Sequence, residues 1–219
     1  MIPMPFLVRH LGLADYEEVW SAMRAFVAAR TPDSEDELWF VQHPPVFTLG
    51  LAGSRSHLLN PGNIPVVASD RGGQVTYHGP GQLVAYTLLD LRRFNLGPRE
   101  LVRRLEGAIL ATLSHYQIAG LRRPGAPGVY VGDAKIASLG LRIRKHCSYH
   151  GLALNIAPDL TPFSFINPCG YAGLQVTSMQ ALGHTVTVKQ VCQVLESALQ
   201  QAFALPGASG APTADNGPG

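Results

Sequence analysis

The sequence from residue 71 to residue 82 reads Arg71-Gly72-Gly73-Gln74-Val75-Thr76-Tyr77-His78-Gly79-Pro80-Gly81-Gln82. Glycine and proline at this density indicate a backbone with unusual dihedral angles, or one that another group approaches closely. Residues 74–78 can form one short strand, with alternate side chains on opposite faces. A tight β-hairpin is the other interpretation, and spacing alone does not separate the two. In both cases the chain turns sharply before the apolar run 83–89.

Strong apolar patterns flank this stretch on both sides. Strands are predicted at residues 6–10, 38–42, 46–49, 64–68, 82–91, 129–131, 135–144 and 149–156. Helices are predicted from the Asp15 cap to about residue 30, from Pro98 to about residue 116, and after the Thr187 cap. Paired strands with helices between them differ from the strict alternation of a doubly wound fold. The sequence therefore predicts an α+β fold, with a largely antiparallel or mixed sheet flanked by helices.

The bulk composition is that of a globular protein. The 219 residues are 46% hydrophobic and 15% charged, and no apolar run reaches the roughly 18 residues of a membrane span. The start of the chain lacks the basic and apolar regions of a signal peptide. Three cysteines without a C-x-x-C pair favour a reducing compartment over a disulfide framework or a zinc site. We therefore expect a single cytoplasmic domain over residues 1–205, no membrane association, and a disordered tail over residues 206–219.

Basic residues are concentrated in the middle of the chain. Residues 92–145 contain eleven Lys/Arg and three Asp/Glu, whereas the rest of the chain contains six and twelve. An ordinary solvated surface is one interpretation, and a positive face for an acidic partner is the other. The basic residues are scattered and no recognition motif accompanies them, so nucleic-acid binding is not expected.

Cys169 is the cysteine with the most suggestive surroundings. It lies between Pro168 and Gly170, in a turn where its thiol can face a cleft. Thiolate chemistry needs partial exposure and a nearby cation or base. A buried small hydrophobe is the alternative for any cysteine. Cys192, on the apolar last helix, is predicted to be one, and Cys147 has no supporting context. Spacing alone leaves the role of Cys169 open.

Lys135 is one of three lysines and begins an apolar strand. It is either a solvated hairpin lysine or an ammonium held beside a thiol, where it would favour the thiolate and exchange protons. His78 and His150 each precede a glycine and offer a Cys–His pair as the competing arrangement. For both histidines we favour a hydrogen-bonded structural role, and both can line a pocket. His146 and His150 have i,i+4 spacing, but on a strand and without a third ligand this spacing does not indicate a metal site.

Four segments resemble, in order, the signatures of one family. They are residues 71–82, residues 127–144, His150-Gly151-Leu152-Ala153-Leu154-Asn155, and Asn167-Pro168-Cys169-Gly170-Tyr171. Together they make the chain similar to the bacterial octanoyl (lipoyl) transferases of lipoate biosynthesis, from about residue 7 to the last helix. The resemblance implies the fold of the biotin and lipoate protein ligase catalytic domain. It also implies an acyltransferase that moves an octanoyl group from octanoyl-acyl carrier protein, through a cysteine thioester, to the target lysine of lipoyl domains.

The resemblance also implies roles for individual residues. Cys169 matches the nucleophile that carries the acyl group, and Lys135 matches the lysine that lowers the cysteine pKa and acts as general acid and base. His150 is a supporting candidate. The substrate-binding walls are expected from Arg71, Gly72, Gly73, Gln74, Val75, Thr76, Tyr77, His78, Ser138, Leu139, Gly140, Gly151, Leu152 and Ala153. Backbone N–H groups of these segments are candidates for holding a thioester oxyanion. Neither a metal nor a diffusible cofactor is expected.

Partners and rival functions follow from the same resemblance. The lipoyl domains expected are those of 2-oxoacid dehydrogenase acyltransferase subunits and of the glycine-cleavage H protein, and the acyl carrier protein is the acidic partner for the basic segment. The alternative enzyme is an ATP-dependent lipoate or biotin protein ligase of the same fold. The sequence contains no G-x-x-x-x-G-K-[ST] and no G-x-G-x-x-G motif for a nucleotide. A non-catalytic acyl or lipoyl-domain binding protein is the rival from another class.

Overall fold

In the computed structural model of the protein, residues 6–171 and 173–204 are described, with the backbone alone at Cys169. The strands are β1 (Leu7–Leu13), β2 (Glu37–Gln42), β3 (Val46–Leu49), β4 (Val66–Ala68), β5 (Val75–His78), β6 (Gln82–Leu88), β7 (Val129–Val131), β8 (Ala134–Arg144) and β9 (Cys147–Asn155). The helices are α1 (Tyr16–Ala29), α2 (Pro98–His115) and α3 (Val188–Phe203). Short 3₁₀ turns lie at Arg55–His57, Thr161–Phe165 and Pro168–Gly170. These bounds agree with the sequence prediction to within a few residues. The predicted tail over residues 206–219 lies outside the described residues.

The larger sheet has six strands in the order β1-β2-β6-β9-β8-β7. β1 runs parallel to β2, and the other four pairings are antiparallel. β2, β6 and β9 are buried along almost their whole length because both faces of the sheet are covered. Side chains of β2 therefore alternate between two cores: Leu38 and Phe40 face one, and Trp39 faces the other. The mixed, largely antiparallel sheet confirms the predicted fold class.

Helices cover the larger sheet on both faces. α2 and α3 pack on one face, and their apolar stripes, represented by Leu105 and Leu195, are fully buried there. α1 packs on the other face through Val19 and Met23. Each buried side chain of this size contributes about 1.5–3 kcal/mol relative to an exposed one. Among the described residues, no helix has both the length and the apolar character of a membrane span.

The smaller sheet contains the glycine-rich stretch and has the order β4-β3-β5. β5 pairs antiparallel with β3, and β6 belongs to the larger sheet. The interpretation of residues 71–82 as a tight hairpin is therefore wrong. The Gly79–Gly81 turn transfers the chain from one sheet to the other, because each strand finds its hydrogen-bonding partner elsewhere in the sequence. This crossing places the glycine-rich stretch above β8 and β9.

Candidate active site

A cavity of about 400 Å³ lies where the glycine-rich stretch passes over β8 and β9. This volume is within the range of small-ligand pockets. All of the predicted wall residues except Tyr77 line it, and so do Lys135 and His150. Its other lining residues, which the sequence analysis did not select, are Tyr16, Val84, Tyr86, Val102, Gly125, Ala126, Pro127, Leu141 and Tyr171. The structure thus brings together segments that are far apart in the sequence, whereas their role in binding a substrate stays a prediction.

Arg71 fixes the glycine-rich stretch to β3. Its Nε donates to Thr48 Oγ1 at 2.9 Å, and its Nη2 donates to the carbonyl oxygens of Thr48 and Gln74 at 2.6 and 2.7 Å. A guanidinium has five N–H donors in a rigid fork, so a single side chain can hold several backbone oxygens. The buried Arg71 therefore shapes the wall of the cavity.

The stretch approaches β8 at backbone distance. Gly72 N donates to Leu141 O at 2.9 Å. A Cβ atom on Gly140 would lie 3.1 Å from Gly72 O and 3.2 Å from Arg71 Cδ, so a side chain there would push the stretch away. Since the Gly72 N–H already donates within the protein, it is not available as a donor to an oxyanion.

Lys135 is buried in the cavity wall, with only 4% of its surface exposed. Its Nζ donates to Pro127 O at 3.1 Å and lies 5.2 Å from the centre of the Tyr130 ring. Its backbone pairs with the segment that follows Tyr171: Lys135 N donates to Gln175 O at 2.8 Å. The interpretation of Lys135 as a solvated hairpin lysine is therefore wrong.

Cys169 lies in the 3₁₀ turn Pro168–Gly170. This turn borders the cavity, because a Cβ atom on Gly170 would lie 3.1 Å from Cγ of Gln74, and Tyr171 lines the cavity directly. Cys147 and Cys192 are buried elsewhere. For Cys192 this confirms the predicted buried small residue. The nucleophilic role of Cys169 stays a prediction.

Asp70, which the sequence analysis did not select, forms a pair with the predicted supporting residue His150 beside the cavity. Asp70 Oδ1 accepts hydrogen bonds from His150 Nε2 at 2.9 Å and from Trp20 Nε1 at 2.8 Å. Asp70 Oδ2 accepts another from the hydroxyl of Tyr149. Burial opposes ionisation of Asp70, but these hydrogen bonds outweigh it and hold the pKa of the carboxyl well below its usual range.

The tautomer of His150 follows from this contact. An ionised carboxylate only accepts, so His150 donates from Nε2 and its Nδ1 is an acceptor. Burial lowers the pKa of His150, and this effect outweighs the hydrogen bond to Asp70, which raises it. The imidazole is therefore neutral near pH 7. The Nδ1 atom is buried and has no hydrogen-bond partner within the described part of the chain.

His78, in the cavity wall, and His43, behind it, are further neutral imidazoles. His78 Nδ1 donates to Gln82 Oε1 at 2.7 Å, and burial lowers the pKa of His78 to about 3. His43 Nε2 accepts from the Tyr86 hydroxyl at 2.7 Å, and burial lowers the pKa of His43 as well. His78 is therefore hydrogen-bonded as predicted. Within the described ranges, no group of three or more His, Cys, Asp or Glu could hold a metal ion.

Tyr77 is the predicted wall residue that the structure places elsewhere. Tyr77 does not line the cavity, and its side chain packs in the apolar core beside the smaller sheet. Its ring centre lies 5.6 Å from that of Phe47 and 5.4 Å from that of Phe163. Tyr77 is thus part of the apolar core of the smaller sheet, and its prediction as a wall residue is wrong.

Comparison with known proteins gives the same fold and a specific family. Residues 15–200 match the family described as the lipoyl protein ligase A/B catalytic domain. The octanoyltransferase of Laribacter hongkongensis is 58% identical over 199 residues, which cover 91% of this chain and 96% of that protein.

Two solved structures share the fold. The lipoate-protein ligase A bound with ATP superimposes with a TM-score of 0.76 at 15% identity, over 92% of this chain and 87% of that chain. The biotin protein ligase of Aquifex aeolicus superimposes with a TM-score of 0.58 at 11% identity, over 90% and 69%. The predicted biotin and lipoate ligase fold is confirmed. The chain belongs to the lipoyl protein ligase A/B catalytic domain family, and within that family to the octanoyltransferases.

Proposed function

We propose that this chain transfers an octanoyl group from octanoyl-acyl carrier protein to the target lysine of a lipoyl domain, through a thioester on Cys169. Membership of the octanoyltransferases supports the reaction. The observation that carries the proposal is the buried side chain of Lys135 in the wall of the cavity. Lysine is almost never fully buried, because its charge loses hydration. An ammonium in a pocket wall supplies the positive charge that an anionic sulfur nucleophile needs.

The first half of the reaction acylates Cys169. The thiolate attacks the carbonyl carbon of the octanoyl thioester, and the bond between that carbon and the sulfur of the carrier breaks. Lys135 donates a proton to the departing sulfur, so the carrier leaves as a thiol and Lys135 becomes a neutral amine. The octanoyl chain would lie against Leu139, Leu152 and Ala153 in the cavity wall.

The second half transfers the octanoyl group to nitrogen. The target lysine amine attacks the Cys169 thioester, and the bond between the acyl carbon and Cys169 sulfur breaks. The neutral Lys135 amine accepts the proton that the attacking nitrogen loses. The products are an amide on the lipoyl domain, the Cys169 thiolate and the Lys135 ammonium, which restores the starting enzyme.

Two protein partners follow from this reaction. The carrier protein delivers the acyl group, and the acceptors are lipoyl domains, with those of 2-oxoacid dehydrogenases and of the glycine-cleavage H protein as the candidates.

A cysteine nucleophile uses a substrate that is already a thioester, so the reaction needs no nucleotide. The ATP-dependent ligase remains the rival within the fold, and its likeness at 15% identity supports the fold alone.

Intact-mass measurement after incubation with octanoyl-acyl carrier protein tests the proposal. We expect one octanoyl group on the chain, labile to hydroxylamine and lost in Cys169→Ala. Modification that persists in Cys169→Ala would reject the assignment of the nucleophile. Addition of ATP should change neither the extent nor the rate of acylation, and an absolute requirement for ATP would select the ligase.

A further inference from the structure

Glu106 is a buried carboxylate on an otherwise apolar face of α2. Only 7% of its surface is exposed, and its neighbours Leu105 and Ile109 are fully buried in the core. Removing a carboxylate from water costs free energy unless hydrogen bonds and opposite charge replace the water. The partners of Glu106 therefore indicate what the buried charge does.

Both oxygens of Glu106 bind the loop before β7, which we call the 122–128 loop (residues 122–128). Oε2 accepts from Arg122 Nε at 3.0 Å, and Oε1 accepts from Gly128 N at 3.0 Å. Arg122 Nη2 also donates to Arg103 O on α2 at 2.9 Å. The carboxylate thus ties the two ends of the loop to the middle of the helix.

The 122–128 loop in turn holds Lys135. Pro127 O accepts the hydrogen bond from Lys135 Nζ at 3.1 Å. Gly128 packs directly under the same side chain, because a Cβ atom there would lie 3.0 Å from Lys135 Cε. On the other side, the Tyr130 hydroxyl donates to Ala126 O at 3.2 Å, and the Tyr130 ring faces the ammonium.

We propose that Glu106 is a positioning residue that holds the Lys135 ammonium in place through the 122–128 loop. This inference rests on the proposed role of Lys135. A carboxylate in contact with the ammonium would form an ion pair and compete with the Cys169 thiolate for its charge. Pro127 O is a neutral acceptor, so its hydrogen bond restrains Lys135 Nζ and adds no negative charge of its own. Glu106 anchors that carbonyl through the N–H of Gly128, which belongs to the same peptide group.

The rate of Cys169 alkylation by iodoacetamide, followed against pH by intact mass of the full chain, tests the proposal. Lys135→Met should move the profile to higher pH by about 1–3 units, the usual effect of a neighbouring opposite charge on a pKa. Glu106→Ala should move it in the same direction by about one unit. Glu106→Gln should move it less, because the amide oxygen still accepts from Gly128 N.

Glu100→Ala is the matched control variant. Glu100 lies on the same helix and pairs with Arg103 and Arg104. Its removal should leave the alkylation profile at the wild-type position. A shift as large as that of Glu106→Ala would show that any acidic residue of α2 has the effect, and would overturn the proposal.

The double variant Glu106→Ala/Lys135→Met separates positioning from a general structural role. If Glu106 acts through Lys135, the double variant has the profile of Lys135→Met alone. A further shift in the double variant, or a wild-type profile for Glu106→Ala, overturns the proposal. If Glu106→Ala does not fold, Glu106→Gln replaces it, with a smaller shift expected that should likewise disappear in the Lys135→Met background.

Octanoylation of the wild-type chain, measured alongside, distinguishes failure of the positioning role of Glu106 from failure of the proposed octanoyl transfer. A wild-type chain that takes one octanoyl group while Glu106→Ala keeps the wild-type alkylation profile rejects the positioning role alone. A wild-type chain that takes no octanoyl group rejects the proposed function. A Lys135→Met profile identical to wild type rejects the role of Lys135, and the positioning role with it.

Discussion

The cysteines of this chain differ in their surroundings at the scale of single residues. Burial raises the pKa of Cys147. Burial, with the nearby Glu196 carboxylate, raises the pKa of Cys192 to about 12. Cys192 Sγ lies 3.8 Å from His10 Nδ1, yet its thiolate is disfavoured by this environment. Near pH 7 both cysteines are therefore protonated, and a protonated thiol is a poor nucleophile.

We expect one fast-reacting cysteine in the native chain. Iodoacetamide near pH 7 should add a single mass increment at Cys169, since only this cysteine is proposed to be a thiolate. Cys147→Ala and Cys192→Ala should leave the rate unchanged, and all three cysteines should react in denaturant. Two or more increments appearing at one rate in the native chain would contradict this expectation.

Asp70 and Glu106 show which site residues a sequence does not reveal. The partners Trp20, Tyr149 and His150 of Asp70 lie 50, 79 and 80 positions away along the chain. Glu106 lies in a helix with many charged residues, and nothing in the pattern marks it as buried. Lys135 and the wall segments could be selected because their motifs are contiguous, whereas these two carboxylates acquire their roles only from long-range contacts.

At the scale of elements, local signals predicted the helices better than they predicted strand pairing. Asp15 Oδ1 accepts from the backbone N–H groups of Glu17 and Glu18 at the start of α1, and Thr187 forms a capping box with Gln190 at the start of α3. Such caps lie within a few residues of the helix and can be recognised in the sequence. β5 pairs with β3 in the smaller sheet and not with the adjacent β6, and this long-range pairing left the hairpin interpretation open.

His43, His78 and His150 form a layer of neutral imidazoles between α1, the smaller sheet and the central strands. Burial lowers the pKa of all three, and that of His78 falls to about 3, against about 6.5 in an unfolded chain. Below about pH 6.5, the three histidines therefore bind protons in the unfolded state that they do not bind in the folded state. Stability is fully present above about pH 6.5 and is lost progressively as the pH falls towards the folded pKa values.

We predict that the free energy of unfolding, measured by urea denaturation between about pH 7 and pH 4, falls steeply with decreasing pH. His78→Gln should flatten this dependence, because one of the groups that protonates only on unfolding is removed. His115→Gln, at the exposed end of α2, is the control for replacing a histidine by glutamine outside the buried layer. The low pKa of Asp70 adds its own loss from about pH 5 downwards, at the acid end of this window, and this loss is common to wild type and His78→Gln. A slope that is equal in wild type and His78→Gln would contradict the assignment.

At the scale of the whole molecule, six arginines of the basic segment 92–145 form ion pairs with carboxylates, so their charge is partly neutralised. The paired arginines are Arg92 with Asp90, Arg93 with Asp36, Arg103 and Arg104 with Glu100, Arg122 with Glu106, and Arg123 with Asp133. Lys135 is buried, and the remaining basic side chains, Arg99, Arg142, Arg144 and Lys145, are exposed.

Three of these exposed residues, Arg142, Arg144 and Lys145, lie on the β8–β9 hairpin, and we call them the hairpin patch. It directly follows Leu141, a residue of the cavity wall.

We predict that the hairpin patch attracts the acidic carrier protein. Reversal of its three charges, Arg142→Glu/Arg144→Glu/Lys145→Glu, should raise KM for octanoyl-acyl carrier protein about tenfold, because each exposed ion pair contributes about 0.2–1 kcal/mol. KM for a small octanoyl thioester should not change, and added salt should weaken the wild-type preference because exposed charges are screened over about 8–10 Å. Arg99→Glu, exposed on α2, is the control for a charge reversal outside the hairpin patch and should have little effect. An equal rise in KM for both substrates would mean that the hairpin patch supports the cavity wall rather than the docking of the carrier.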